Sequence, residues 1–185
     1  MTTETEALRG FRNISSDIIG DNLQTAQYLL KVGDRLSSTI KDFTDYGLVH
    51  RWSIGMEHYI QGYLPSQVHP RRPTTGTPLE VYLYHGDYIP KLFQMVAKQE
   101  VIPDNTTSLV VLASAGDVNQ KILQIDLSSA VLESVQLATD YFPFFRILIR
   151  YKVFAITCYN YDQEKLSLTR NVPFSYDFSQ NVVGG

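Results

Sequence analysis

The stretch FRILIRYKVFAITCYNY, residues 145–161, alternates side-chain character with a period of two. Successive side chains of a β-strand point to opposite faces, so the odd-numbered positions form one continuous and mostly apolar face. The even-numbered positions begin with basic side chains and become apolar after Lys152. The pattern predicts a long, bent, central strand. Its odd positions form a continuous core face, and its even positions begin as a basic stripe and end buried.

The basic end of this strand is the clearest candidate for a contact surface. Arg146, Arg150 and Lys152 are spaced to lie on one strand face, and Arg71 and Arg72 lie in a proline-rich segment. These five side chains could contact the phosphates of nucleic acid or of lipid head groups. The alternative is that the arginines pair with carboxylates of a neighbouring strand or subunit. A net charge of −3 favours that alternative, because the chain has no overall basic field.

Residues 1–46 carry apolar side chains at helical spacing, which predicts N-terminal helices. Leu8, Phe11, Ile14 and Ile18 recur three or four residues apart in the first of them. A second helix would begin after Asp21 and present an apolar stripe. This stripe is predicted to pack on protein and to serve self-association, through Leu23, Leu30, Leu36, Ile40 and Phe43.

Residues 47–172 are predicted to form a mainly antiparallel sheet, and residues 173–185 a C-terminal tail. Alternation is cleanest over residues 49–64, and the segment 65–78 that follows holds four prolines and is predicted to be a loop. A short strand, an inserted helix and a hairpin are predicted over 79–84, 87–100 and 108–127, while 128–137 is ambiguous. The predicted fold class is α+β, with N-terminal helices followed by an antiparallel sheet with one inserted helix.

Composition and motifs exclude several functions for this chain. It has 185 residues, of which 44% are hydrophobic, and its single cysteine, Cys158, is predicted to be a small buried apolar side chain. No metal-ligand spacing, phosphate-binding loop or nucleophile motif is present, so we predict neither enzymatic activity nor a cofactor. No apolar run approaches the ~18 residues of a membrane span, and no signal peptide is recognisable. These observations predict an intracellular, cytoplasmic protein.

Three functions are compatible with this description. The first is a non-catalytic protein that self-associates, which the tyrosine-rich sheet favours. In composition and length the chain is similar to small virion proteins of the matrix or capsid kind, so a virion component is the specific form of this hypothesis. In that form the basic residues could contact another virion protein. The second is a small-molecule binder or enzyme with a pocket lined by Trp52, Met56, His58 and aromatic residues of 141–145. The third is an adaptor that binds nucleic acid or anionic lipid through the basic face.

Overall fold

Strands dominate the architecture. The computed structural model describes residues 26–57, 74–115, 118–139, 143–161 and 168–184. Within them lie one helix, α1 (Ile89–Lys98), and twelve strands. The strands are β1 (Ala26–Val32), β2 (Gly47–Ser53), β3 (Met56–Glu57), β4 (Thr75–Gly76), β5 (Leu79–Leu83), β6 (Thr107–Ala115), β7 (Val118–Ser128), β8 (Val131–Thr139), β9 (Pro143–Arg150), β10 (Val153–Tyr161), β11 (Leu168–Asp177) and β12 (Val182–Gly184).

Ten of these strands form one antiparallel sheet in the order β12-β11-β10-β7-β6-β1-β2-β5-β9-β8. We call β1, β2, β5, β9 and β8 the first half, and β6, β7, β10, β11 and β12 the second half. Val81 and Ile149 of the first half share one hydrophobic cluster with Ile125 and Phe154 of the second half. The sheet therefore curls around one main core, and α1 packs against it with Leu92 and Met95 buried. The strands β3 and β4 pair separately as a short ribbon.

The stretch 145–161 is a strand bent sharply at Tyr151 and Lys152. Its first part, β9, pairs with β5 and β8, whereas its second part, β10, pairs with β7 and β11. The chain thus crosses from one half of the sheet to the other through two residues, which confirms the predicted long, bent strand. The predicted burial of the even positions at the far end is confirmed at Phe154, but the prediction that the odd positions continue as the core face is wrong for the second part. Odd positions such as Ile149 face inward in β9, but even positions such as Phe154 face inward in β10.

The predicted α+β fold class, with N-terminal helices, is wrong for the described residues. Where a second helix was predicted, β1 pairs antiparallel with β2 and β6. Its apolar residues do not alternate because both of its faces are covered. Leu30 and Val32 enter the main core, while Leu29 joins a second cluster on the opposite face with Val110 and Leu112. Residues 1–25 lie outside the described residues, and so do the first predicted helix and Leu23.

Two further predictions fail near the C-terminus. Residues 173–184, predicted as a tail, contain the end of β11 and all of β12, because Phe174 and Tyr176 pack inward. Cys158, predicted to be buried, is exposed although it lies on the inward face of β10. The predicted short strand, the helix and the hairpin are confirmed as β5, α1 and the β6–β7 pair, and the ambiguous segment 128–137 contains most of β8.

Candidate assembly surface

The two halves of the curled sheet present different outward faces. Because both halves face the same core, their outer surfaces point away from each other. Face A belongs to the first half and comprises His50, Arg51, Glu80, Tyr82, Tyr84, Gln136, Phe144 and Arg146. Face B belongs to the second half and comprises Gln124, Asp126, Ala155, Thr157, Tyr159, Asn171, Pro173 and Ser175.

A β-bulge in β2 builds the aromatic part of face A. The register between β2 and β5 shifts between Val49 and Arg51, which leaves both His50 and Arg51 on the outer side. The His50 ring stacks on Phe144 with centroids 4.4 Å apart and planes 15° apart. The Tyr84 ring meets His50 edge-on at 5.8 Å, and its hydroxyl lies 3.4 Å from His50 Nδ1. The three rings hold one another in place as one aromatic cluster on the outer side of the sheet.

Charged side chains continue face A beside these rings. The Arg51 guanidinium lies 3.9 Å from the centre of the Tyr82 ring, a cation–π contact. Arg146 donates from Nε to Glu80 Oε1 at 2.6 Å and from Nη1 to Gln136 Oε1 at 3.3 Å. The hydrogen bond from Arg146 lowers the pKa of Glu80 below its ordinary value, so the carboxylate stays ionised at neutral pH. Face A is therefore a surface of ordered aromatic and charged groups.

The predicted basic stripe is not formed as one surface. Arg146 pairs with Glu80 of β5, and Arg150 pairs with Glu133 of β8 through Nε and Oε2 at 2.7 Å. Pairing with carboxylates of neighbouring strands, the alternative in the sequence analysis, is thus what the structure shows for both arginines. Lys152 lies in the connection after β9 rather than on its face. Arg71 and Arg72 lie outside the described residues.

Of the five residues predicted for self-association, Leu23 lies outside the described residues, and the other four lie away from both faces. Leu30 and Leu36 are 0% and 4% exposed in the core of the chain itself, so they offer no surface to a second copy. Ile40 and Phe43 pack over the second cluster, which Leu29 begins. Leu30 lies on β1, whereas Leu36, Ile40 and Phe43 lie in the connection between β1 and β2, so these four side chains do not share one helix face.

Face B is flat because its central side chains are small. Ala155 pairs with Asp126 and Thr157 with Gln124 across the β10–β7 pair, and Pro173 of β11 lies opposite Thr157. Gln124 donates from Nε2 to both carboxylate oxygens of Asp126 at 2.8 Å, so its polar groups are ordered. The sequence analysis missed this face because it assigned the odd positions of β10 to the core.

The pocket that the sequence suggested is not assembled by the described residues. Trp52 is half-buried in the core, with its ring centroid 6.3 Å from that of Tyr28. Met56 is exposed on β3, and His58 lies outside the described residues. Two open grooves of about 470 and 430 Å³ lie on either side of Thr77 and Pro78. In the described ranges, His, Cys, Asp and Glu form no group that could hold a metal ion.

The described part of the chain contains no helix with the length and apolar character needed to cross a bilayer. The sequence matches no family model, and no curated protein is similar enough to be identified as a relative.

Solved structures resemble this chain in fold, although the comparisons of sequence found no relative. The chain is similar to a type six secretion system protein, with a TM-score of 0.73, 13% identity, and coverage of 86% of this chain and 100% of that one. It is similar to Hcp1 from Salmonella typhimurium, with a TM-score of 0.66, 16% identity, and coverage of 87% and 100%. A type VI secretion system effector from Yersinia pestis gives a TM-score of 0.57 at 12% identity, with coverage of 81% and 98%.

These likenesses correct the α+β prediction and show that the chain has the same fold as these bacterial proteins. They lend no support to the virion form of the self-association hypothesis. The three structures are covered almost completely while this chain is not, so it contains residues beyond the shared fold.

Proposed function

We propose that this chain is a non-catalytic structural subunit that assembles with copies of itself, as a component of a type VI secretion apparatus. The observation that carries the proposal is the pair of unlike outer faces on opposite sides of one curled sheet. Its likeness to Hcp1 and to other proteins described as belonging to type VI secretion systems supports the choice of apparatus.

Unlike faces on opposite sides favour head-to-tail contact between copies. In this arrangement the aromatic cluster of His50 and Phe144 on face A would pack on the strip of small side chains around Ala155 and Thr157 on face B of the next copy. Arg51 would then have an opposite charge in Asp126 of that copy. A contact between two different surfaces repeats in each copy, and it closes a ring when the rotation between copies is suitable. We therefore propose a closed ring of identical subunits.

Catalysis and binding of nucleic acid or lipid are less well supported. The grooves beside Thr77 are open rather than enclosing, which is poorly suited to a small substrate. The two arginines that could contact phosphates already pair with Glu80 and Glu133. Binding of anions there would have to break these ion pairs, so the adaptor function is not our proposal.

Two variants that each disable one face test the head-to-tail arrangement. Arg51→Glu reverses a charge on face A, and Thr157→Arg places a long charged side chain in the flat strip of face B. We expect each variant to be a folded monomer by light scattering under conditions in which the unchanged chain forms large assemblies. When the two are mixed, each supplies one intact face, so we expect dimers with one copy of each variant and nothing larger.

A matched control separates the specific effect from that of charge. Lys91→Glu makes the same charge change as Arg51→Glu but lies on the exposed side of α1, and it should assemble like the unchanged chain. The proposal would be overturned if both face variants assembled normally, or if the unchanged chain were a monomer across concentration and salt. Failure of the mixed variants to form dimers would exclude contact between faces A and B.

A further inference from the structure

A segment without strands lies on top of the sheet between face A and face B. It is the connection from β1 to β2, residues 33–46, which we call the strap. Ile40 and Phe43 of the strap pack over the outer side of β1 and β6, where Leu29 and Val110 are fully buried. The strap therefore forms a second layer over the sheet, next to β7 and the rest of face B.

The strap is ordered by hydrogen bonds of its own. A turn over residues 40–43 is closed by the Phe43 amide, which donates to the carbonyl oxygen of Ile40 at 3.0 Å. The Ser38 hydroxyl donates to the carbonyl oxygen of Phe43 at 2.6 Å. The turn exposes Lys41, which forms no ion pair with the residues that the structure describes. The strap thus presents a preformed turn that carries an unpaired ammonium group.

Face A continues into an open groove at the far end of its strands. This groove, the larger of the two beside Thr77, has a volume of about 470 Å³, and Glu80 of face A lines it. Its lining includes the apolar side chain of Leu148, and we call it the Leu148 groove. Glu57 also lines it, is exposed, and has no ion-pair partner among the described residues. The groove is too open for a small substrate, but it can admit a turn of a protein chain.

The strap and the Leu148 groove lie at matching distances from the proposed contact. On face A, four residues of β9 separate Phe144 of the aromatic cluster from Leu148, which corresponds to about 13 Å. On face B, two to three strand steps separate β10, which carries Thr157, from β6 and β1 under the strap, which corresponds to about 10–14 Å. A strap that borders Thr157 at this distance can reach the groove when the aromatic cluster packs on Thr157.

The charged pair of the proposed contact sets the direction. On face A, Arg51 lies along β2 between His50 of the aromatic cluster and Ser53, which lines the groove. On face B, Asp126 lies on β7, which runs between β10 and the strands under the strap. When Arg51 meets Asp126, the groove of one copy and the strap of the next therefore lie on the same side of the contact.

We infer that the turn 40–43 of each copy seats in the Leu148 groove of the next copy, with the Lys41 ammonium against the Glu57 carboxylate. The inference rests on the proposed head-to-tail contact and adds a second point of contact, which fixes the rotation between neighbouring copies. Burial of apolar surface in the groove and the pairing of two unpaired charges both favour this docking.

Charge reversal tests the pair in the full chain. Lys41→Glu and Glu57→Lys should each raise the concentration needed for half-maximal assembly at least about tenfold by light scattering, because each places like charges together. The double variant carries an opposite pair again and should assemble at nearly the same concentration as the unchanged chain. Lys91→Glu, on the exposed side of α1, is the control and should have no effect.

The outcomes separate this inference from the proposed function. If Arg51→Glu prevents assembly while Lys41→Glu and Glu57→Lys leave it unaltered, the inference is wrong and the proposed function stands. If the double variant assembles no better than either single variant, the two residues are not partners and the inference is again wrong. If the unchanged chain never assembles, both proposals fail.

Cross-linking of the native side chains provides a direct readout. A carbodiimide joins a lysine amine to a carboxylate in contact with it as an amide. In a mixture of isotope-labelled and unlabelled copies, peptide mapping should find Lys41 of one copy joined to Glu57 of another. Lys41→Arg keeps the charge without the reactive amine, so it should assemble and lose the link. Links found only within single copies, or assemblies of the unchanged chain without any link, would overturn the inference.

Discussion

β9 and β10 follow one another with two residues between them, yet their outward sides are built differently. On β9, Phe144 stacks on His50, and Arg146 and Arg150 are held by carboxylates of neighbouring strands. On β10, the outward positions Ala155 and Thr157 are small and leave a flat surface. One stretch of chain that crosses between the two halves of a sheet can therefore contribute to two different surfaces, here face A through β9 and face B through β10.

We expect the largest loss of stability from substitutions on the inward sides of the two strands. Ile149 of β9 is fully buried, so Ile149→Ala should lower the free energy of unfolding by about 2–5 kcal/mol. Ile156 of β10 is only partly buried, and Ile156→Ala should cost less, about 1–2 kcal/mol, because less apolar area is lost. Urea denaturation followed by the fluorescence of Trp52 would measure both. Equal losses would contradict the unequal burial of the two strands.

A methyl group added at Gly76 should strain the bend between β9 and β10, because it would press on Tyr151. A Cβ on Gly76 would lie 2.9 Å from Phe178 Cζ and 3.1 Å from the hydroxyl oxygen of Tyr151. We expect Gly76→Ala to lower the free energy of unfolding by about 1–3 kcal/mol through overpacking. Gly55→Ala is the control, since its new Cβ would meet Thr77 Oγ1 at an ordinary 3.5 Å. An equally small effect at both positions would show that the bend tolerates displacement.

Tyr151 at the bend should make stability sensitive to alkaline pH. Its hydroxyl donates to the carbonyl oxygen of Thr77 at 2.8 Å, and Tyr151→Phe should cost about 1 kcal/mol at neutral pH. Burial raises the pKa of Tyr151 to about 12, whereas a tyrosine of the unfolded chain ionises near 10. The folded state therefore holds the proton more strongly, and stability should fall as pH rises from about 10 to 12. Urea titrations at several pH values should show a shallower decline for Tyr151→Phe.

We expect the smallest change in the free energy of unfolding from substitutions that remove an ion pair on the outward side of β9. Glu80→Gln should lower the free energy of unfolding by less than Tyr151→Phe does, because exposed ion pairs stabilise weakly. The pKa of Glu80 is lowered by the hydrogen bond from Arg146, so its stabilising effect is present above the unfolded pKa and is lost as pH falls through the folded pKa. The difference between Glu80→Gln and the unchanged chain should therefore disappear in acid. Glu133→Gln, in a more exposed pair, should change still less.

Local patterns predicted the strands better than they predicted the faces. The alternation of residues 145–161 identified a bent strand because each part contacts the core on one side only. The assignment of its core face failed beyond Tyr151 because the two residues of the bend are not extended strand, so the inward set changes from odd to even positions. Face B was missed for this reason alone, and a single alternation carried across the bend could not have revealed it.

The N-terminal prediction failed for a different physical reason. Both faces of β1 are covered, so Leu29 interrupts a face that otherwise carries Gln27 and Lys31, and the apolar residues of β1 then satisfy a helical spacing equally well. The ion-pair partners of the basic residues could not be predicted from neighbouring sequence either. Glu80 lies 66 residues before Arg146 in the chain, and only the order of the strands brings the two together.

The crossing at Tyr151 and Lys152 also has a consequence for synthesis of the protein. β1 can pair with β6 only after more than half of the chain has been made. β5 pairs with β9 and β7 pairs with β10, and both of these partners are late in the sequence. Pairings so distant in sequence form slowly, because a long loop must close before any contact is gained. On the ribosome, the backbone groups of the early strands therefore emerge before their partner strands have been made. Both halves of the sheet complete their pairing only when the stretch around Tyr151 and Lys152 has placed β9 in one half and β10 in the other.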